Sequence, residues 1–515
     1  MLPLRTTLAL LTVMAALFAA RPALRESAVR AVTTVFDFFP LPSDAPIEPI
    51  RMEDEGYRHW LLDPQRELRH FYDALHRTER PEPGAVTRIL HYGDSPTTAD
   101  MITADARDLL QKRFGDAGHG FVLIGQPWAW YTHRGVEVRS AGWKIDPASQ
   151  VVLRDGMYGI GGASFEGSPG DTARLTLGRG GHTQIELAFL RRPGAGEVTV
   201  SAGDAKLATI DTSGEALTSG FAEVSIPTGA RRLELRVERG PVRLFGVELT
   251  GAGQGVIYSS LGLNGGYVSV LAKNFQERHW QEQLRHYRPH LVVVNYGTNE
   301  SVYEKFVDFV YARDMKEIVR RLRAALPETS ILIMSPMDRG ERGEGGAIIT
   351  PPVMTKLVRK QEQVALETGV AFFNTFQAMG GPGTMARWHQ RHPRLVGADF
   401  LHPMPAGAKQ IGELLFRGLI DGFHRHKLRR MAGGQQPGKS FPRQFYGKMI
   451  KAGLRTHQKQ SAVLLFESRM AGCLAGRTDC ETFRGDISGH SAAGAGSPPP
   501  VQAAGVVEDI QEDNH

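Results

Sequence analysis

Cysteine is almost absent: the 515 residues hold two, Cys473 and Cys480, both close to the C-terminal end. Neither a disulfide framework nor a Cys-based zinc centre can therefore underlie the main fold. The pair could close one small loop in an oxidising compartment. Long apolar runs are equally scarce. The run Leu8 to Ala20 follows a single Arg and has the pattern of a secretory signal. It is short for a membrane-spanning helix, and Phe18-Ala19-Ala20-Arg21 is a poor cleavage site. Residues 1–30 are accordingly expected to be an export signal or an uncleaved N-terminal anchor, which places the protein in the periplasm or cell envelope. Metal-ligand spacing of the His-Glu-x-x-His kind is missing too, and His389, His392, His424 and His426 are scattered enough to read as surface residues. No metal, cofactor or nucleic-acid partner is expected. The net charge is only +6, yet Arg425 to Lys459 carries ten Lys or Arg and no Asp or Glu, so the basicity is local. That stretch is expected to be a solvated run, able to meet an anionic envelope surface.

What is present reads as several parts. Residues 31–85 form a lead-in: four prolines between Pro40 and Pro49 favour an extended chain, and Leu68, Phe71, Tyr72 and Leu75 recur at the spacing of one amphipathic helix. Val86 to Tyr92 is a buried-strand pattern that stops at Gly93-Asp94-Ser95, and Thr98 to Phe114 continues at helical spacing. Ser95 then falls at the C-terminal edge of a strand, where open α/β sheets bind ligands. Thr97 or Thr98 is expected to cap the helix with Asp100 in its first turn, leaving backbone N–H groups beside Ser95.

After the Gly-rich stretch Phe114 to Phe121 the helix–strand rhythm stops. Short alternating runs at Ala173–Leu177, Thr183–Phe189, Glu197–Ala202, Phe221–Ile226, Arg232–Val237 and Val242–Leu249 predict an inserted β-sandwich or jelly roll over 126–252. It could bind carbohydrate or simply shape the cleft. Strand and helix patterns alternate again from Gly255 to Phe423. Residues 86–125 and 253–424 thus predict one α/β core, a parallel sheet with helices on both faces. Residues 425–515 read as the basic stretch followed by a flexible tail.

Three further blocks sit at expected strand ends or in loops: Leu263-Asn264-Gly265-Gly266-Tyr267, Tyr296-Gly297-Thr298-Asn299-Glu300, and Asp399-Phe400-Leu401-His402-Pro403. With Gly93-Asp94-Ser95 they make an ordered set of nucleophile, glycine, amide and acid–base pair. A Ser hydroxyl needs an adjacent base, and a tetrahedral intermediate needs hydrogen-bond donors. The order resembles the SGNH (GDSL-type) hydrolase superfamily. The resemblance implies a flavodoxin-like α/β/α sandwich with Ser95 as nucleophile, His402 as base and Asp399 as its partner. It also implies an oxyanion hole from the Ser95 and Gly265 N–H groups and the Asn299 side chain, with Gly266 a weaker candidate. Phe114-Gly115-Asp116-Ala117-Gly118-His119-Gly120-Phe121, the β insert, and Met385 and Trp388 are similar to the pattern of bacterial peptidoglycan O-acetylesterases. The activity so implied is removal of O-acetyl groups from a cell-wall or related polysaccharide through an acyl-enzyme. The alternatives are a polysaccharide O-acetyltransferase using the same residues and a non-catalytic envelope glycan-binding protein.

Overall fold

A computed structural model describes residues 60–433 apart from Pro81 and Arg179. The export segment, most of the lead-in, both cysteines and the basic stretch beyond residue 433 lie outside the described residues. The chain divides after Arg429 into two units, and of the second only the end of a helix is described.

The lead-in supplies β1 (Leu61–Leu62) and helix α1 (Arg69–Glu79), and Phe71, Tyr72 and Leu75 of the amphipathic pattern are buried. Next come β2 (Val86–Gly93), a single-turn helix α2 (Ser95–Thr98), α3 (Ile102–Phe114) and β3 (Asp116–Val122). Ten strands follow, from β4 (Val136–Ala141) to β13 (Val242–Gly251). The α/β alternation returns with β14 (Gly255–Gly262), α4 (Glu277–Tyr287), β15 (Leu291–Asn295), α5 (Glu304–Phe309), α6 (Tyr311–Ala325) and β16 (Ser330–Met334). After the hairpin β17 (Glu341–Arg342) and β18 (Ile348–Ile349), α7 (Pro352–Thr368), β19 (Ala371–Phe373), α8 (Thr375–Ala378), α9 (Thr384–Gln390) and α10 (Pro405–Gly433) complete the fold.

Six strands, in the order β19-β16-β15-β2-β14-β3, run parallel, with β1 antiparallel at one edge. Alternate residues of β2 enter different cores, as a sheet covered on both faces requires. Ile89 joins Phe71, Leu110 and Leu415 of α1, α3 and α10, whereas Leu90 and Tyr92 join Trp280, Ile318 and Leu357 of α4, α6 and α7. This is the expected α/β/α sandwich.

The strands between 136 and 251 pack as two sheets. One, β10-β9-β12-β7-β4, is separate, and its strands β7 and β12 bury one face each. The other is not separate: β13 pairs antiparallel with β3, so the parallel sheet continues through β13 into β8, β11, β6 and β5. Glycine in β3, which masks its strand pattern in the sequence, is required by that junction. A Cβ on Gly118 would lie 2.5 Å from the Leu249 carbonyl oxygen. Helix α4 packs against β11 of this continuous sheet, with His286 stacked on Phe221 at 3.5 Å.

Two helices differ from the sequence pattern. The helix expected from Thr98 to Phe114 breaks at Asp100, whose backbone is left-handed at φ 46°. The buried Asp100 carboxylate takes bonds from Thr103, Arg107 and the Arg134 N–H, a tertiary arrangement that a continuous helix would not offer. The pattern from Val268 to Tyr287 is divided into a π-helical turn, Val270–Asn274, and α4. The buried Arg321 guanidinium donates to the Leu271 and Phe275 carbonyls, which occupies groups a regular helix would use.

Candidate active site

The sheet register brings three of the sequence blocks together. Gly93, where β2 ends, pairs with Gly262 of β14 on one side and Asn295 of β15 on the other. Ser95, Gly265 and Asn299 therefore leave neighbouring strand ends at one edge of the sheet, and the Leu263 N–H donates to the Gly93 carbonyl at 2.8 Å. Glycine at 262 lets α2 press against the strand, because a Cβ there would sit 2.0 Å from the Thr98 nitrogen. Ser95 is the first residue of α2. Neither threonine caps a helix. The Thr97 and Thr98 N–H groups and the Thr98 hydroxyl all donate to the Asp94 carbonyl, so the N–H groups expected beside Ser95 are already used apart from that of Ser95 itself.

The fourth block meets Ser95 from the loop before α10. Ser95 Oγ lies 2.8 Å from His402 Nε2, and His402 Nδ1 lies 2.7 Å from Asp399 Oδ2. Asp399 Oδ1 also accepts the Leu401 and His402 N–H groups at 3.0 and 3.1 Å. These bonds, with His402, hold the Asp399 carboxyl down at about 2 despite its partial burial. The hydrogen bond that His402 donates to Asp399 raises the imidazole above its ordinary value, with the charges of Asp399 and Asp94 adding to this. The loop is fixed by a bridge between Val396 and Pro403 and by the Gly340 N–H, which donates to the Phe400 carbonyl at 2.8 Å. Phe400 holds a left-handed φ of 55°, and His389 packs edge-on against its ring at 4.7 Å. His389 thus supports the loop, and His426 is tied to Asp73 of α1 at 2.9 Å; of the four histidines expected at the surface, His392 is exposed and the other three are half-buried. Met385 and Trp388 are core residues beneath this loop.

On the donor side, Gly265 has a left-handed φ of 66°, and among the described residues its N–H has no hydrogen-bond partner. The Gly266 N–H donates to the Leu263 carbonyl at 2.8 Å, which disfavours it as an oxyanion donor. The Asn299 side-chain amide donates one hydrogen to the Gly266 carbonyl at 2.9 Å, leaving its second for a ligand. The insert reaches this loop: Trp128 donates to Ser149, and Ser149 Oγ donates to the Asn264 carbonyl at 2.9 Å. Two residues without an assigned role in the sequence stand behind the donors. Asp94 is buried and pushed up to about 6, steadied by the Thr298 hydroxyl and N–H, and Glu300 is wholly buried. Each is visible in the sequence only as the neighbour of a functional residue.

The arrangement can activate a serine and stabilise an oxyanion. Residues 226–410 match the model of the GDSL-like lipase/acylhydrolase family. Over that stretch the chain is similar to GDSL-type acylhydrolases, in line with the expected resemblance. The matched stretch contains Gly265, Asn299, Asp399 and His402 but not Ser95, which lies before it, beyond eight of the ten strands β4 to β13. A solved peptidoglycan O-acetylesterase shares the fold, with TM-score 0.62 and 21% identity over 71% of this chain and 99% of that one. A salicylyl-acyltransferase from a tetracycline biosynthetic pathway aligns with TM-score 0.27 and 13% identity, over 56% of this chain and 95% of that one. A family two carbohydrate esterase of Corynascus thermopiles aligns with TM-score 0.25 and 15% identity, over 56% of this chain and all of that one. No curated protein matches the sequence. The likeness of residues 226–410 to acylhydrolases and the Ser95–His402–Asp399 geometry agree with the expected serine esterase.

Proposed function

We propose that the protein removes O-acetyl groups from a cell-wall or related polysaccharide, of the peptidoglycan kind, through an acyl-enzyme. The observation that carries this reading is the unbroken chain Ser95 Oγ, His402, Asp399 at 2.8 and 2.7 Å. In the first half-reaction His402 Nε2 takes the Ser95 proton as Oγ attacks the ester carbonyl, and Asp399 holds the imidazolium through Nδ1. The Ser95 and Gly265 N–H groups and the Asn299 amide receive the oxyanion. His402 returns the proton to the leaving sugar hydroxyl. In the second half-reaction His402 takes a proton from water as the water attacks the acetyl-serine, then returns it to Ser95 Oγ as the acyl bond breaks and acetic acid leaves, to ionise in solvent.

The His402 and Asp399 side chains are 45% and 50% exposed. Water reaches the base, which favours hydrolysis over transfer to a second sugar, since a transferase must keep water from its acyl-enzyme. The aligned triad weighs against a purely binding role. A polysaccharide substrate is supported by the shared fold of the peptidoglycan O-acetylesterase and by a sandwich that reaches the Gly265 loop. The apolar run Leu8 to Ala20 supports export to the cell envelope. Contact of residues 425–459 with an anionic envelope surface is part of the same reading, although Arg425 and Lys427 are already engaged with Asp421 and Glu79.

The test offers purified protein O-acetylated peptidoglycan, with and without added glycan acceptor, and measures free acetate and acetylated acceptor. Acetate release that is lost in Ser95→Ala is the expected result. Acetyl transfer in preference to release would replace the esterase with a transferase, and turnover of small acetyl esters without any action on acetylated glycan would overturn the substrate class.

A further inference from the structure

Glu300 directly follows Asn299 and is fully buried, at 0% exposure. Its Oε1 accepts the Val268 N–H at 2.7 Å, and among the described residues Oε2 has no partner. Val268 ends the loop that begins at Gly265, and the Asn299 amide holds the Gly266 carbonyl of that same loop at 2.9 Å. Two consecutive residues after β15 therefore clamp the loop after β14 at two points. The charged group that acts on Glu300 is Asp94 of the β2–α2 turn, and the phenols of Tyr267, Tyr296 and Tyr311 lie in its field. None of these supplies positive charge. The backbone N–H groups of Val268, of Glu300 itself and of Gly297 favour the ionised form, but burial outweighs them and, with the acidic neighbour, holds the carboxyl neutral.

We propose that Glu300 is a positioning residue of the acyl-transfer site: as a neutral carboxylic acid it grips the Val268 N–H, sets the spacing of the Gly265 and Asn299 donors, and keeps negative charge from behind the forming oxyanion. The inference rests on the serine-esterase reading. Burial, chiefly, pushes the carboxyl up to about 8. Ionisation above that pH puts a buried charge beside the donors and opposes the transition state. At the effective dielectric of a protein interior, a unit charge about 10 Å from another is worth on the order of tenfold in rate.

The experiment measures kcat and KM for 4-nitrophenyl acetate between pH 6 and 9.5, with spontaneous hydrolysis subtracted, for the full chain, Glu300→Gln, Glu300→Ala and Ser95→Ala. In the wild type kcat is expected to fall about tenfold across its alkaline limb. Glu300→Gln keeps the acceptor without the charge, so it retains most of kcat at pH 7 and loses that limb. Glu300→Ala loses kcat about tenfold with little change in KM, because a slack clamp misplaces donors used only after attack. Thermal melting gives a second readout that does not depend on activity. A carboxyl raised in the folded state loses its stabilising contribution as pH rises through the folded value, so the melting advantage of Glu300→Gln grows from pH 6 to pH 9. If Glu300→Ala does not fold, the Glu300→Gln profiles decide. An alkaline limb that persists in Glu300→Gln, or a melting difference that does not change with pH, overturns the proposal while inactive Ser95→Ala leaves the esterase reading standing. An active Ser95→Ala overturns both.

Discussion

Two groups of carboxyls flank Ser95, and their surroundings drive them in opposite directions. Asp399 lies at the outer side, half exposed, with two N–H donors on one oxygen and His402 on the other, and is held down at about 2. Asp94 and Glu300 lie inside, each with an oxygen lacking a hydrogen-bond partner among the described residues, and burial pushes them up to about 6 and about 8. Partners, more than exposure alone, decide where charge resides. The outer side keeps a full negative charge for an imidazolium to form against. On the inner side, where an oxyanion is to develop, Glu300 next to Asn299 is without charge near neutral pH, while Asp94, pushed up only to about 6, is ionised there.

If the outer pair exists to serve one hydroxyl, removing the hydroxyl should leave it idle. Ser95→Ala is expected to lower turnover of 4-nitrophenyl acetate by more than about 10⁴-fold with an unchanged melting temperature, and His402→Ala by a comparable factor. Residual activity above about one per cent in folded Ser95→Ala would mean that another nucleophile does the work. The inner side is tested by Asn299→Ala. It should cost about 10²–10³ in kcat with KM nearly constant, because the amide meets charge that exists only after attack. A change confined to KM would make Asn299 a substrate contact instead.

Asp399→Asn sharpens the outer half. The substitution should be milder than His402→Ala, and milder than the roughly 10⁴-fold loss typical of a buried triad Asp, since water reaches this one. The direction of the pH effect follows from the pair. Asp399 raises His402 above 6.5, so the acid limb of kcat/KM lies above that value in the wild type and should move to lower pH in Asp399→Asn. A limb that stays in place would show the two groups to be uncoupled. The smallest effect is expected from Ser149→Ala, which removes the hydroxyl that the insert places on Asn264. One net hydrogen bond of about 1 kcal/mol corresponds to roughly fivefold in rate. The loss should be equal for a small aryl acetate and for acetylated glycan, because the contact reaches the oxyanion loop and not the polymer. Loss on glycan alone would assign this part of the insert to substrate binding.

The sequence by itself determined the alternation of strand and helix from β14 onward, the β-rich character of the segment after Phe121, and the order of the four blocks. These are written in short-range patterns: apolar period, turn glycines, and residue types that chemistry requires a few positions apart. Strand Ser330–Met334 and helix Pro352–Thr368 are legible to their ends for that reason. Tertiary structure alone decided the remainder. Gly118 and Gly120 hide β3 in the sequence, since glycine signals a turn until a neighbouring strand is seen to lie against it. The break at Asp100 depends on Arg134, which lies 34 residues away, and the contact between Ser95 and His402 spans 307. The register of Gly93 with Gly262 and Asn295 puts the donors beside the nucleophile, and it is a property of strand pairing that no single segment carries. Most of all, an Asp or Glu in a sequence has no charge state of its own. Burial and hydrogen-bond partners set it, which is why Asp399 and Glu300, both acids beside a functional residue, end about six pH units apart.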